Sequence, residues 1–302
     1  MDVTLRQLGV FVAVTDHEGF GTGAASLGMS QSSVSHALAA LERTVRGELV
    51  HRDIPVRPTP LGETLLPHAR AALAAARGLT AAADAHHGTA TASTIGLAVP
   101  PTVARGLLPR LLRLWHQHLP DTEVRIYEGL DQELARWLAD GTVDAAVLVD
   151  PDPHPEGGLL LATDTFHAVL RADHPLAHEE SITLADLLED PLLASTSGCE
   201  PQITRLHAQA GLPYRPAQRI RELTTLLAMV EAGLGVAVIP TLAASMLPAT
   251  LILTPLQPRL ERRLVLTGPS NRPWHPHVTA IRDLTAHRTD PASAPTDHPT
   301  RT

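Results

Sequence analysis

Ser30-Gln31-Ser32-Ser33-Val34-Ser35-His36-Ala37-Leu38-Ala39-Ala40-Leu41-Glu42-Arg43-Thr44-Val45 is the stretch that decides the fold. Val34, Leu38, Leu41 and Val45 recur at helical spacing and form one apolar stripe. Ser30 is placed to cap the helix that carries them. Ser32, Ser33 and His36 lie opposite the stripe near its start. Just upstream, Gly28 permits a tight turn. Before it, a short helix over residues 22–27 carries the small residues Gly23-Ala24-Ala25, which let another helix come close. Earlier still, Thr4-Leu5-Arg6-Gln7 reads as a capping box. It opens a first helix with Leu5, Leu8, Phe11 and Val12 on one side, which should stop near His17-Glu18-Gly19. Short helix, tight turn and longer helix make a helix-turn-helix, whose second helix places its N-terminal residues on base edges in the major groove.

Downstream, Thr59-Pro60 is a cap followed by proline at the first helical position. The Ala- and Leu-rich run to about Asp84 predicts a helix about 37 Å long with Pro67 in its early turns. Its Leu65, Leu73 and Leu79 need a partner surface. Residues 86–94 read as a hinge. Beyond it apolar strands alternate with helices: Ile95–Val99, 107–115, Glu123–Tyr127, 130–138, 141–149 and 166–170. The pattern runs on through 184–188, 192–194 and a helix over 225–232 to Val236–Pro240. Such alternation predicts a parallel sheet covered on both faces. The overall class is α/β behind an all-α N-terminus.

Leu5-Arg6-Gln7-Leu8, Phe11-Val12-Ala13-Val14, Gly19-Phe20, Ala24, Leu27 and Ser30-Gln31-Ser32-Ser33-Val34-Ser35 resemble, without a gap, the N-terminal pattern of LysR-type regulators. Leu38, Leu41-Glu42, Leu49, Arg52, Val56, Thr59 and Gly62 continue the match. Further on, Leu107-Leu108-Pro109, residues 138–147, His174-Pro175-Leu176-Ala177 and residues 230–240 resemble the effector domain of the same family. That domain has the fold of type II periplasmic binding proteins. The resemblance implies a winged helix-turn-helix over 1–59, a linker and dimerisation helix with hinge over 60–92, and an effector domain over 93–287. Lobe I would be 93–163 with 268–287, lobe II 164–267, the chain crossing near Thr163 and Gly268. The Pro-, Thr- and Ser-rich tail 288–302 should be disordered. The chain departs from the family at Gly23, His36, Ala39-Ala40, Arg46-Gly47-Glu48 and a short wing at Asp53-Ile54-Pro55.

On this reading Ser30, Gln31, Ser32, Ser33, Ser35 and His36 face DNA from the recognition helix, and Arg52 and Arg57 from the wing. Leu65, Leu73 and Leu79 hold a dimer, which could pair into a tetramer. The effector site draws on three strand-to-helix junctions: Pro100-Pro101-Thr102, Ser195-Thr196-Ser197 with Cys199, and Thr224. Hydroxyls and free N–H groups at helix starts favour an anion such as a small carboxylate. Peroxide-sensing members of the family carry a reactive cysteine near Cys199 together with a partner. Cys199 is the single cysteine of this chain, and reads as a small buried hydrophobe.

Composition sets the outer bounds. The chain has 302 residues, enough for two or three compact units, and 44% are hydrophobic. With no secretory signal pattern and no apolar run long enough to span a bilayer, the expectation is a cytoplasmic protein without a membrane partner. Net charge is −8, but the first 92 residues hold seven arginines against eight acidic residues, so the excess of acid lies C-terminally. There is no lysine. The low positive charge predicts modest, salt-sensitive DNA affinity. His86-His87, His116/His118 and His275/His277 lack companion ligands, so neither a metal nor a cofactor is expected. No Gly-rich phosphate loop or nucleophile elbow points to an enzyme. The expected function is a sequence-specific DNA-binding regulator answering to a small effector, with DNA, effector and self as partners and RNA polymerase as a further candidate. A cytoplasmic solute-binding module without a DNA role is the alternative.

Overall fold

The computed structural model describes residues 2–88, 92–196 and 198–289. The chain opens with α1 (Leu5–Asp16), α2 (Phe20–Ser26) and α3 (Gln31–Val45). Thr4 and Gln7 form the reciprocal cap of α1, each side chain serving the other's backbone N–H. Val10, Phe11 and Val14 of α1 meet Ala24 of α2 and Val34, Leu38 and Leu41 of α3 in one buried cluster. Gly23 makes this approach possible, because a Cβ there would lie 3.0 Å from the Val14 Cα and 3.1 Å from the Ala13 carbonyl. α2 begins two residues before the sequence suggested, since Gly19 caps it. The wing is the antiparallel pair β1 (Val50–His51) and β2 (Arg57–Pro58).

α4 (Pro60–His87) starts at the Thr59 cap, whose hydroxyl accepts from the Gly62 N–H at 3.1 Å. It runs for 28 residues, so His86 and His87, placed in a hinge by the sequence, belong to its last turn. Of the expected dimer leucines, Leu65 packs on the N-terminal domain's own core and Leu73 faces the next domain, while Leu79 is 74% exposed.

The C-terminal domain follows as β3 (Ser93–Val99), α5 (Pro101–Gly106), α6 (Leu108–His118), β4 (Thr122–Glu128), α7 (Asp131–Asp140) and β5 (Ala145–Val149). The long β6 (Leu159–Arg171) and short β7 (Ile182–Thr183) come next, then β8 (Leu192–Ser195), α8 (Glu200–Gln209) and β9 (Gln218–Ile220). After α9 (Leu223–Glu231) the chain closes with β10 (Val236–Pro240), β11 (Leu251–Gln257), β12 (Glu261–Thr267) and α10 (Pro276–Thr289). The sheet order is β4-β3-β5-β12-β6-β10-β8-β9, with β11 also on β6 and β7 on β11. The first half of β6 pairs with β12 in lobe I, and the second half pairs with β10 and β11 in lobe II.

Three expectations need correction. The sheet is mixed rather than parallel: β3, β4 and β5 run together, as do β8, β9 and β10, but β12 is antiparallel to β5 and β6. The second crossing lies between β11 and β12, at residues 258–260, and not near Gly268. Leu264 and Leu266 of β12 are buried with Val99, Val147 and Trp115 of lobe I, which claims the strand for that lobe. The tail also begins later than expected, since α10 runs to Thr289; residues 290–302 lie outside the described residues.

Lobe I sits on α4. Gly141, the left-handed C-cap of α7 (φ 80°), presses on it so closely that a Cβ would meet the Ala71 Cα at 3.0 Å. Arg77 of α4 reaches Asp144 at 3.5 Å.

Candidate functional site

The first candidate surface is the outer face of α3. Val34 and Leu38 are fully buried, so the helix is held by its stripe and its other face is free for contact. Gln31, Ser32 and His36 are exposed there. Ser30 spends its hydroxyl on the cap, accepting from the Ser33 N–H at 3.2 Å and touching the Ser32 and Ser33 hydroxyls. Ser33 and Ser35 are half-buried. The structure thus brings six predicted residues onto one helix start, four of them exposed and one of these, Ser30, engaged as the cap. Arg57 is exposed on β2.

Arg52 is exposed but is held by its own domain. Its guanidinium donates to Glu42 at 3.0 Å and lies 5.6 Å from the centre of the Phe20 ring. Glu42, buried on α3, also accepts from the Leu49 N–H at 2.9 Å. Glu42 therefore ties helix to wing, a role the sequence reading missed. The signal was there: a carboxylate inside the apolar stripe, next to Leu41, needs donors.

The second candidate is the cleft between lobes. At its centre Arg262 of β12 donates to Asp164 of β6 through Nε at 3.2 Å and a terminal nitrogen at 2.8 Å. Their side chains are 2% and 3% exposed. Arg262 also donates to the Thr102 hydroxyl at 3.0 Å, reaches the Cys199 Sγ at 3.9 Å and stacks over Phe166. Asp164 accepts further from the Thr241 hydroxyl and from the Thr165 and Leu242 N–H groups. One ion pair thus joins lobe I (Thr102), the crossing strands and lobe II (Cys199, Thr241).

Of the predicted effector residues, Thr102 and Cys199 meet at Arg262. Ser195 is buried, and Thr196 donates its N–H to the Ile220 carbonyl at 3.0 Å. Ser197 lies outside the described residues. Pro100 caps α5 and Pro101 begins it. Pro101 and Thr224 line a cleft of about 350 Å³ with Arg105, Glu133, Trp137 and Arg221. Thr102 and Cys199 thus belong to an inner cluster and Pro101 and Thr224 to an outer cleft, while Pro100, Ser195 and Thr196 join neither.

Sequence reading did not find Arg262, Asp164, Asp131, Asp150 or Gln202. Burial lifts the Asp131 carboxyl from 3.8 to about 6, with Arg262 opposing and Asp150 adding to the rise. Burial also pushes the Cys199 thiol up to about 11, Arg262 opposing. At neutral pH Cys199 is a protonated thiol, a poor nucleophile. Among the described residues there is no cluster of three or more metal-ligating side chains, and no helix is long and apolar enough to cross a membrane.

Comparison with known proteins assigns the class. Residues 5–63 match the model of the bacterial regulatory helix-turn-helix protein, LysR family, and residues 88–290 match the LysR substrate binding domain. The chain belongs to the LysR family of DNA-binding transcriptional regulators and carries the family's effector-binding domain. It is 30% identical to the HTH-type transcriptional regulator YvbU of Bacillus subtilis, over 89% of this chain and 92% of that one. It is 34% identical to a probable hydrogen peroxide-inducible genes activator of Mycobacterium avium, over 78% of each. Among solved structures, full-length OxyR C199D of Pseudomonas aeruginosa superposes with a TM-score of 0.75 at 26% identity, covering 95% of this chain and 94% of that one. CbnR, solved with its target DNA, shares the fold at 22% identity and a TM-score of 0.68, covering 95% and 99%.

Proposed function

We propose that this regulator reads a specific DNA sequence with α3 and that a small molecule held between its lobes sets how it does so. The observation that carries the first half is the face of α3: buried on Val34 and Leu38, polar and open on Gln31, Ser32 and His36. Gln31, Ser32 and His36 read base edges, and Arg57 holds phosphate or the minor groove. Ser30 acts as the cap that aims them. Arg52 fixes the wing through Glu42. The second half rests on the interlobe cleft, whose walls come from both lobes, and on the buried Arg262–Asp164 pair that meets Thr102, the chain neighbour of its wall residue Pro101.

The protein works in the cytoplasm as a dimer through α4, which can pair into a tetramer. Leu79 stands exposed beside an apolar groove of about 330 Å³ lined by Ala75, Gly78, Pro273 and Trp274, a surface suited to a second helix. RNA polymerase is the further partner when the bound regulator activates.

Kinship with peroxide-inducible activators does not extend to a redox role here. Cys199 is buried, protonated and the single cysteine of the chain. The test of the function is footprinting of the DNA upstream of the protein's own gene, at low salt, with and without candidate metabolites. Protection that shifts with one metabolite is expected. Absence of protection under every condition rules the reading out.

A further inference from the structure

At the floor of the interlobe cleft, acceptors outnumber the donors that reach them. Asp131 begins α7 in lobe I, and its Oδ1 lies 3.7 Å from where a Cβ on Gly198 of lobe II would sit. Among the described residues it interacts with Arg262 and Asp150 by charge alone. Asp150 follows β5 in left-handed backbone (φ 45°), a conformation that signals local constraint. Its Oδ1 accepts from the Arg263 N–H at 2.7 Å, but its buried Oδ2 has no hydrogen-bond partner, Arg205 standing 3.6 Å away. Gln202 is the third. Cys199, Gln202 and Arg205 follow one another at three-residue spacing and so share a face of α8. Cys199 contacts Arg262 and Arg205 contacts Asp150, so Gln202 lies on the same face of α8 between these two contacts. Gln202 is 8% exposed and its Oε1 has no hydrogen-bond partner. Buried acceptors are rarely left bare in native proteins, and each such atom calls for a missing donor.

We infer that the effector of this cleft carries a primary ammonium group, which Asp131, Asp150 and Gln202 hold where the two lobes meet. This rests on the reading of the domain as effector-binding. An ammonium supplies three N–H donors, one each for the Asp131 carboxylate and for the two buried acceptors without a hydrogen bond, Asp150 Oδ2 and Gln202 Oε1. It also supplies positive charge where Asp131, Asp150 and Asp164 face Arg262 and Arg205. Arg262 cannot supply three further donors, because four of its five N–H groups already go to Asp164, Thr102 and Cys199. A carboxylate effector, the expectation from helix starts alone, would add negative charge and further acceptors at the same place. The remainder of the ligand has room in the adjoining cleft, whose wall residues Pro101 and Leu130 are the chain neighbours of Thr102 and Asp131. Because Asp131 must be ionised to hold the cation, amine affinity falls as pH drops through about 6.

The experiment uses the full-length protein at pH 7.5 with ionic strength fixed by sodium chloride. Calorimetric titration and thermal denaturation are run with four probes: propylammonium, 1,4-diaminobutane, tetramethylammonium and propionate. The two primary amines are expected to bind and raise the melting temperature, while tetramethylammonium, which has no N–H, and propionate do neither. Asp131→Asn and Gln202→Leu should each weaken amine binding at least tenfold, whereas Arg113→Ala, exposed on α6, leaves it unchanged. Asp131→Asn removes a buried charge and keeps the side-chain shape, so loss of binding there is not loss of fold. Propionate binding in place of the amines, no amine binding, or amine binding unaltered in both variants overturns the inference. Amine binding that requires Asp131 but leaves DNA affinity unchanged would uphold the cationic site and refute the regulatory reading instead.

Discussion

Two polar regions of this molecule are built on opposite terms. The outer face of α3 is polar because nothing covers it: Gln31, Ser32 and His36 stand in solvent, ready for a partner. The interlobe floor is polar although it is buried, and Arg262 and Asp164 are tolerated there because each satisfies the other. The difference teaches that a polar residue's meaning depends on what it would lose. Removing an exposed α3 side chain should leave folding untouched and change recognition. Removing one partner of the buried pair should damage the fold before it alters any ligand.

The largest expected effect follows directly. Arg262→Leu leaves Asp164 charged, buried and unpaired, and should destabilise the protein by about 3–5 kcal/mol. Urea unfolding of the effector domain's transition is the measurement, and a loss under about 1 kcal/mol would erase the contrast between the two regions. Next, Leu38→Ala opens a cavity under α3 and should cost about 2–5 kcal/mol. It should weaken binding to every DNA sequence alike, because the whole helix loosens. A change in sequence preference with stability intact would contradict it.

Asp131 sharpens the comparison with the opposite sign. Its carboxyl is raised from 3.8 to about 6, chiefly by burial. The native state therefore binds this proton more tightly than the unfolded chain. This group's contribution to stability falls as pH rises from about 4 to about 6, by roughly 3 kcal/mol in all. Asp131→Asn should abolish that fall and melt higher than the wild type at pH 7.5 in the absence of amine. A lower melting point would mean the carboxylate is already satisfied.

On α3, His36→Ala should shift preference at one base pair by about 1–3 kcal/mol, with an unaltered melting temperature. Competition binding against single-base variants of a bound site reads this out. The smallest effect belongs to the wing. Arg57→Ala should weaken all sequences equally and flatten the slope of affinity against salt by about one. A sequence-dependent loss would make Arg57 a base reader.

The two regions also differ in how far they could be read from sequence. α3 was legible because its signals are local: Ser30 caps, Val34 and Leu38 face inward at helical spacing, and the outer residues follow. The interlobe floor was not, because its members come from distant segments. Arg262 and Asp164 are 98 residues apart in the chain, and Arg262 and Thr102 160 apart. No periodicity announces such a meeting. The same distance hid the return crossing at residues 258–260: Glu261-Arg262-Arg263 looks like a polar connection until β5 and β6 are placed on either side of it. The linker lay between these extremes. Its start at Thr59-Pro60 was plain, but which leucines face outward depended on what packs against α4, and Leu79 is the exposed one.

The central claim is that α3 is a DNA-reading surface, and selection from a random-sequence duplex pool with the full-length protein at low salt tests it most directly. The account predicts enrichment of sites with two related half-sites about one helical turn, or a multiple of it, apart, lost or altered when His36 is replaced by alanine. A pool that stays unenriched after repeated rounds would contradict it.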